Sequence, residues 1–513
     1  MGLVAEPSDD QLLVPRPRGA RGRSPAVVDL DLDPAQRAAV TLPRERALLV
    51  LGEAGHGKTT VAVHRVAHLF RLPEAPGRAA VVVPAEGLAR LLQSLLRRLG
   101  ADVEVRTYDV WAAVQARRAF RDVPRRECEL TPPSVARVKR DPALRAVLVE
   151  IARREPGTID DDRDAPRVRT RALVRRADLQ HLFGDRVLLE RARAGSSSLT
   201  QRMIDDTLEH NRVQFSLTAE QEWAHVDDPA RLRAVDGLRL DEATATADAG
   251  TIDVEDYAVL FEIERLRAER RGRPPRAPLP FDLLMLDEAQ ELAPLELALL
   301  GRSLAPGGSL VVAGDADQQT DTTSTFGGWD AAMRELGCAA WDTALLDVGY
   351  RCPPELARLA HRILGTPMRA AATSAAPEGA PPVRLGFDDE PALAARLLRE
   401  IRFIQWRDPH ASIAVLCRAP LTARRIAIEL RREIPARVVF DGHFLPRGPV
   451  QVTTVEETKG LEFDFVVVPD ATARDYPDTP AARRALYVAV TRARHQVLLA
   501  HVGERSPLLA SMR

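Results

Sequence analysis

The alternation of apolar and polar positions divides the chain into unlike stretches. From Asp29 onward, short apolar runs alternate with segments whose apolar residues recur at helical spacing. "RALLVLG" predicts a strand and "KTTVAVHRVAHLF" a helix. "AAVVVPA" predicts a second strand followed by the helix "EGLARLLQSLLRRLG", and "VEVRTYDVWAAV" a third strand and a turn. Continuous apolar strands separated by helices imply a parallel, doubly wound sheet, because such strands are covered on both faces. Residues 120–280 break this rhythm. They hold few β runs, many arginines and amphipathic stretches such as "ALRAVLVEIARRE" and "VEDYAVLFEIERLRAERRG", and so predict a largely helical insertion that ends at the hinge "RRGRPPRAPLP". The sheet pattern resumes in "FDLLMLDEAQ" and "SLVVAGDADQ".

A second α/β unit is expected from Trp341, with strands in "SIAVLCRAP", "ARVVF", "VQVTTV" and "DFVVVPDA" and a closing helix and strand in "RRALYVAVTRARHQVLLAHV". "TPMRAAATSAAPEGAPPV" reads as a flexible loop, and residues 1–28, rich in Pro, Arg and Gly, as a disordered tail. The expected layout is a tail (1–28), a first α/β unit (29–119 and 281–340), a helical insertion (120–280) and a second α/β unit (341–513). Two units of the same kind suggest two sheets facing across a cleft.

Composition narrows the class. The 513 residues are 45% hydrophobic and 28% charged, which suits a globular protein of two to four domains. "MGLVAEPSDD" has no apolar signal region and no myristoylation pattern, and no apolar run reaches membrane-spanning length, so no membrane partner is expected. Cys128, Cys338, Cys352 and Cys417 are widely spaced without a C-x-x-C pair, which argues against a zinc site or a disulfide framework and for the cytoplasm. The net charge of -1 advertises no polyanionic partner, but residues 116–193 carry 20 basic and 13 acidic side chains and residues 201–264 carry 5 and 16. Such asymmetry marks either a contact face or a solvated helical surface. The 72 basic residues include three lysines, Lys58, Lys139 and Lys459. Arginine's planar fork does not replace lysine as a compact point charge, so each retained lysine is informative.

Lys58 sits in "GEAGHGKT", which fits G-x-x-x-x-G-K-[ST] between a predicted strand and a predicted helix. Gly52, Gly55 and Gly57 let backbone N–H groups curl around phosphates, with Glu53, Ala54 and His56 completing the loop and Thr60 following it. Lys58 is expected to reach the β and γ phosphates of ATP, and Thr59 to bind Mg²⁺. His56 occupies a variable position and is expected to face solvent. Asp287 and Glu288 end an apolar strand; Asp287 suits the hydrated metal and Glu288 the orientation and deprotonation of water. Asp315 and Gln318 end another strand, where a parallel sheet meets its ligand. Arg351 and Arg492 come from the second unit, and arginines delivered from the facing domain stabilise charge on a transferring phosphoryl group.

Taken in order, these segments resemble the motifs of superfamily 1 helicases of the UvrD/Rep type. "LDPAQRAAV" resembles the Q motif, implying that Gln36 reads the adenine edge. "GEAGHGKTT" resembles motif I, "LDEAQ" motif II and "AGDADQ" motif III, while "VVVPAEGLARLL" and "VRTYDVW" occupy the places of motifs Ia and Ib. "VGYRCPPEL" resembles motif IV, implying Tyr350 stacked on adenine and Arg351 at the γ-phosphate. "TKGLEFDFVVV" resembles motif V, with Glu462 implied at the ribose, and "LYVAVTRAR" motif VI, with Arg492 as the implied arginine finger. The resemblance implies two RecA-like P-loop domains and a motor moving on single-stranded or partly duplex DNA, 3′ to 5′. The family's aromatic continuation of motif III is replaced by "QTDTTSTFGGWDAA", where Trp329 is either a displaced stacking platform or a core residue, and the large 2B insertion is missing. "LDEAQELAPLELALL", "VVAGDADQQTD" and "YRCPPEL" also resemble the HelD-type ATPases, which implies RNA polymerase as the alternative partner. The long N-terminal arm of that branch has no counterpart here.

Overall fold

The apolar runs at the centre of each sheet become strands because they are buried on both faces. The computed structural model describes residues 12–15, 32–120, 123–154, 174–226, 228–234, 240–241, 244, 246–367, 373–445 and 447–510. The chain begins α1 (Pro34–Val40), β1 (Leu48–Gly52), α2 (Lys58–Phe70), β2 (Ala79–Val83), α3 (Glu86–Arg98), β3 (Glu104–Thr107) and α4 (Tyr108–Ala119). Among the described residues, seven helices follow: α5 (Pro133–Arg140), α6 (Leu144–Arg153), α7 (Val174–Gly184), α8 (Arg186–Ala194), α9 (Gln201–Gln214), α10 (Ala219–Glu222) and α11 (Glu255–Arg270). The sheet resumes with β4 (Phe281–Leu286), α12 (Pro294–Gly301), β5 (Leu304–Gly314), α13 (Trp329–Glu335) and β6 (Asp342–Leu346). The second unit comprises β7 (Val348–Gly349), α14 (Pro354–Leu364), β8 (Thr373–Ser374), β9 (Val383–Phe387), α15 (Glu390–Arg407), β10 (Ile413–Cys417), α16 (Pro420–Arg431), β11 (Ala436–Val438), β12 (Val450–Thr454), β13 (Phe463–Val468), α17 (Pro480–Thr491) and β14 (Ala493–Val502).

Two parallel six-stranded sheets result, ordered β3-β2-β4-β5-β1-β6 and β11-β12-β10-β13-β14-β9. These are two RecA-like α/β domains. The period of two shows in the cores. Leu48, Val50, Val81, Val83, Leu283 and Met285 pack toward α2 and α3. Leu49, Ala80, Val82, Leu284 and Leu286 face the other way. In the second sheet, Val466 and Val468 join α14 and α17, while Phe465 and Val467 join α15 and α16.

The structure departs from the sequence reading at four places. The first sheet continues past 341: β6 pairs with β1 from Leu48↔Asp342 to Gly52↔Leu346. As an edge strand it is half exposed, so its apolar signal was weak, and Arg46 fixes its start through Asp342 at 2.7 Å. The segment after β3 is the helix α4 rather than a turn, started by the Thr107 side chain, which accepts from Val110 N at 3.4 Å. The loop read over 366–383 runs into β9, an edge strand, and contains β8; residues 368–372 lie outside the described residues. Within the stretch read as a tail, residues 12–15 are docked on the second domain, the rest of 1–28 lying outside the described residues. Leu13 is buried beside α15, the backbone N–H of Leu13 donates to Glu400 Oε2 at 2.9 Å, and that of Val14 donates to Gln496 Oε1 at 2.8 Å.

The helices between 120 and 280 form no separate core. Leu148, Phe183, Ile204, Tyr257 and Phe261 belong to the same apolar cluster as Leu49, Val82 and Leu284 of the sheet. At its polar centre, Lys139 Nζ lies 2.6 Å from Asp253 Oδ2 and 2.7 Å from Asp256 Oδ1, all three side chains being 0–1% exposed.

Candidate nucleotide site

The loop between β1 and α2 curls because two glycines take left-handed backbone, Gly55 at φ 81° and Gly57 at φ 87°. Side chains there would also collide. A Cβ on Gly57 would stand 2.8 Å from Gln36 Nε2, and one on Gly55 3.0 Å from Arg351 Cβ. The loop thus touches both the Q-motif helix and the second domain. Lys58, at the start of α2, is folded back: its Nζ donates to the carbonyls of Gly52 (2.9 Å) and Glu53 (3.0 Å) and lies 3.7 Å from Asp315 Oδ2.

Thr59 Oγ1 donates to Asp287 Oδ2 at 2.7 Å. Burial first, then the charge of Glu288, pushes the Asp287 carboxyl up to about 7, against the Thr59 hydrogen bond and Lys58. A hydroxyl and a buried carboxylate in contact, with an ammonium nearby, are a donor set that fits a hydrated divalent cation bound to a phosphate. Glu288 adopts φ 54°, the single positive φ at a non-glycine residue among the described residues. Such strain, of order 1–3 kcal/mol, persists where the surroundings over-determine a side chain's aim. Gln290 supplies the restraint: its Nε2 donates to Glu288 Oε2 at 2.6 Å, and its Oε1 accepts from the backbone N–H of Asp315 at 3.1 Å.

The relay continues into the second domain. Gln318 Nε2 donates to Asp315 Oδ2 at 2.7 Å, and Arg492 Nη2, at the end of α17, donates to Gln318 Oε1 at 2.5 Å. Arg492 is 5% exposed and also donates to the Leu461 carbonyl. Arg351 is ion-paired with Glu462, whose other oxygen accepts from Arg494 Nε at 2.6 Å. Glu462 therefore holds two arginines at the cleft here, and against the penalty of burial these cations keep its carboxyl low. Tyr350 Oη donates to Asp33 Oδ2 at 2.5 Å, and Asp33 caps the helix that carries Gln36 through Gln36 N at 2.8 Å. A further cross-domain pair joins Lys459 Nζ to Glu291 Oε2 at 3.1 Å.

The loop from Gly52 to Thr60, Asp287, Glu288 and Gln318 thus lie on the first domain, and Tyr350, Arg351, Glu462 and Arg492 on the second, lining one cleft. His56 departs from expectation. It is 6% exposed, with Nδ1 2.9 Å from the carbonyl of Leu346, because β6 runs beside the loop. Trp329 resolves toward the core: it packs on the main apolar cluster, edge-on to Phe326 at 4.8 Å, and fills the space where a Cβ on Gly314 would stand 2.3 Å from its ring. Sequence reasoning missed Gln290, although it lies within the quoted "LDEAQ", and Asp33 and Arg494. Only the fold brings these to their partners.

Residues 36–323, which include Gln36, Lys58, Asp287 and Gln318, match the AAA domain family, and residues 449–500, with Glu462 and Arg492, match the UvrD-like helicase C-terminal domain. Among solved structures, the chain is similar to the C-terminal domain of a possible DNA helicase from Lactobacillus plantarum WCFS1, at 23% identity over 32% of this chain and 94% of that one, with a TM-score of 0.27. No curated protein matches the chain. With more than half of its length inside the first family match and its second sheet carrying the other, the chain belongs to the UvrD/Rep-type helicase family.

Proposed function

We propose that the protein is an ATP-driven translocase that couples hydrolysis at this cleft to movement on single-stranded DNA, 3′ to 5′ as in the helicases it resembles. The observation that carries the reading is Arg492, which crosses from the second domain to Gln318 and so to Asp315, beside Lys58. In this reading the glycine loop binds the phosphates, with Lys58 exchanging its carbonyl partners for them. Thr59 and Asp287 would hold Mg²⁺, which when bound supplies charge neutralisation at the β and γ oxygens. Glu288, aimed by Gln290, takes the proton of the attacking water. Arg492 and Arg351 stabilise charge on the phosphoryl oxygens, so that hydrolysis requires the domains to be together. Gln36 and Tyr350, joined through Asp33, form the adenine end, with Glu462 steering Arg351.

The test is ATP turnover with single-stranded DNA, RNA and RNA polymerase added in parallel. Stimulation by single-stranded DNA supports the reading; turnover unchanged at saturating oligonucleotide overturns it. A fluorescent strand-displacement substrate with a 3′ or a 5′ overhang tests polarity. Stimulation by polymerase alone would favour the remodelling alternative. That alternative calls for a projecting helical arm, whereas α5 to α9 and α11 share the core of the first domain.

A further inference from the structure

The glycine loop is gripped from the second domain at a point that the motifs do not include. Glu53 contributes two different groups. Its backbone carbonyl accepts from Lys58 Nζ at 3.0 Å, and its side chain meets α14, where His361 Nε2 lies 2.9 Å from Glu53 Oε2. His56 approaches the same carboxylate oxygen, with Nε2 at 4.0 Å. These residues line a cavity of about 60 Å³ beneath the loop, with Cys352 and Tyr487 on the far side. His361 and His56 are 7% and 6% exposed, so neither ring is there to be solvated.

Resting on the ATPase reading above, we infer that His361 is a positioning residue of the nucleotide site: by holding the Glu53 side chain it fixes the start of the phosphate loop in the curled shape that receives the phosphates, and so links the shape of that loop to the seating of α14. The link is strongest when the imidazole carries its proton. The charged groups facing His361 are Glu53 from the loop and Asp315 and Asp317 from the turn after β5. Thr366 Oγ1 lies 3.4 Å from its Nδ1. His56 and Lys58 face the same loop, and Tyr487 closes the cavity from α17. The Glu53 hydrogen bond, opposed by burial, raises His361 above the ordinary imidazole value, whereas burial lowers His56. A raised histidine contributes fully below about pH 6.5 and loses its contribution as the pH climbs through its folded value. ATP affinity should therefore weaken as the pH rises through that folded value.

The experiment measures steady-state kcat and KM for ATP, and binding of a fluorescent ATP analogue, from pH 6 to 9. It uses the full chain and the variants His361→Phe, His361→Gln and Glu53→Gln. In the wild type the KM should rise roughly tenfold across the range, the size of one charge-assisted hydrogen bond, with kcat changing far less. His361→Phe should start at the high value and stay flat. His361→Gln, which keeps a donor without titrating, should recover part of the affinity and also stay flat. Glu53→Gln should flatten the profile likewise, and it carries the test if His361→Phe does not fold. Parallel pH profiles in wild type and all variants, or equal loss in His361→Gln and His361→Phe, overturn the inference while leaving the ATPase reading intact. If the wild type binds the analogue without turning it over, the ATPase reading fails and the binding profiles alone decide the role of His361.

Discussion

Lys139 is one of three lysines in the chain, and its replacement by methionine should destabilise the helical insertion by an amount that the structure bounds. The ammonium sits between Asp253 and Asp256 and 4.6 Å from the centre of the Phe183 ring. Lys139→Met keeps the stem and removes the charge. Asp253 retains His210 at 2.9 Å and Gln214 at 3.0 Å, and Asp256 retains the backbone N–H of Asp253 at 3.1 Å. Breaking a buried pair from one side costs about 3–5 kcal/mol. Part of that loss depends on pH. Burial already holds Asp256 up at about 6 in spite of Lys139, so without Lys139 it is neutral at pH 7. Relative to the wild type, whose Asp256 already titrates at about 6, keeping that carboxyl neutral at pH 7 adds about 1.4 kcal/mol, and the loss of the ion pair to Asp253 carries the rest.

The sign follows from the raised value: stability is present at low pH and is lost as the pH rises through the folded pKa. In the wild type that loss ends near pH 6. In the variant it continues, at about 1.4 kcal/mol per pH unit, so the deficit widens between pH 6 and 8. Urea unfolding followed by circular dichroism at pH 6, 7 and 8 measures this directly. A further Asp256→Asn change should recover most of the loss. A variant whose midpoint matches the wild type at all three pH values, or whose deficit does not widen, would refute the reasoning.

Glu288→Gln should bind ATP with near wild-type affinity and hydrolyse it roughly 10²–10⁴-fold more slowly, as read by coupled ATPase and filter binding. Arg492→Ala should lower kcat roughly 10³-fold with a smaller change in KM, since it reaches Gln318 from the facing domain. Unchanged kcat would remove it from the site. Trp329→Ala should cost about 2–3 kcal/mol, below the 3–5 of a fully buried aromatic, and leave oligonucleotide affinity within about twofold by fluorescence anisotropy. A large affinity loss at unchanged melting temperature would return Trp329 to a stacking role.

Both sheets were legible in the sequence because their central strands are buried on both sides. Runs such as Leu48–Leu51 and Phe465–Val468 carry an unbroken apolar signal. The edge strands β6 and β9 were not, since half of their side chains face away from the core and the alternation is short. At the site, spacing singles out Lys58, Thr59, Asp287 and Glu288, the resemblance singles out Gln36, Tyr350, Arg351, Glu462 and Arg492, and the three lysines stand out by scarcity. Each of those lysines proves to be buried or nearly so beside carboxylates: Lys58 near Asp315, Lys139 between two aspartates and Lys459 against Glu291. What spacing could not deliver were partnerships made across hundreds of residues. The burial of His56 depends on β6, and the aim of Glu288 depends on a backbone conformation that no local propensity favours. Arg494 looked like one arginine among many until Glu462 was seen between it and Arg351.

The order of strands in the two sheets also governs how the protein is made. β1 begins at Leu48, yet its sheet neighbours β5 and β6 begin at Leu304 and Asp342. On a ribosome working at 5–20 residues per second, the loop-bearing strand waits roughly 10–50 s for its partners. The second sheet completes later still, because β14, which begins at Ala493, inserts between β13 and β9. Gln496 on that strand then accepts from Val14 N, 482 residues earlier. An apolar strand and helix are thus exposed for much of translation, and a nascent chain halted before residue 304 leaves Leu48 and Val50 without the strands that flank them. A nucleotide loop built at the centre of a sheet ties its strand to partners that are synthesised about 250 residues later.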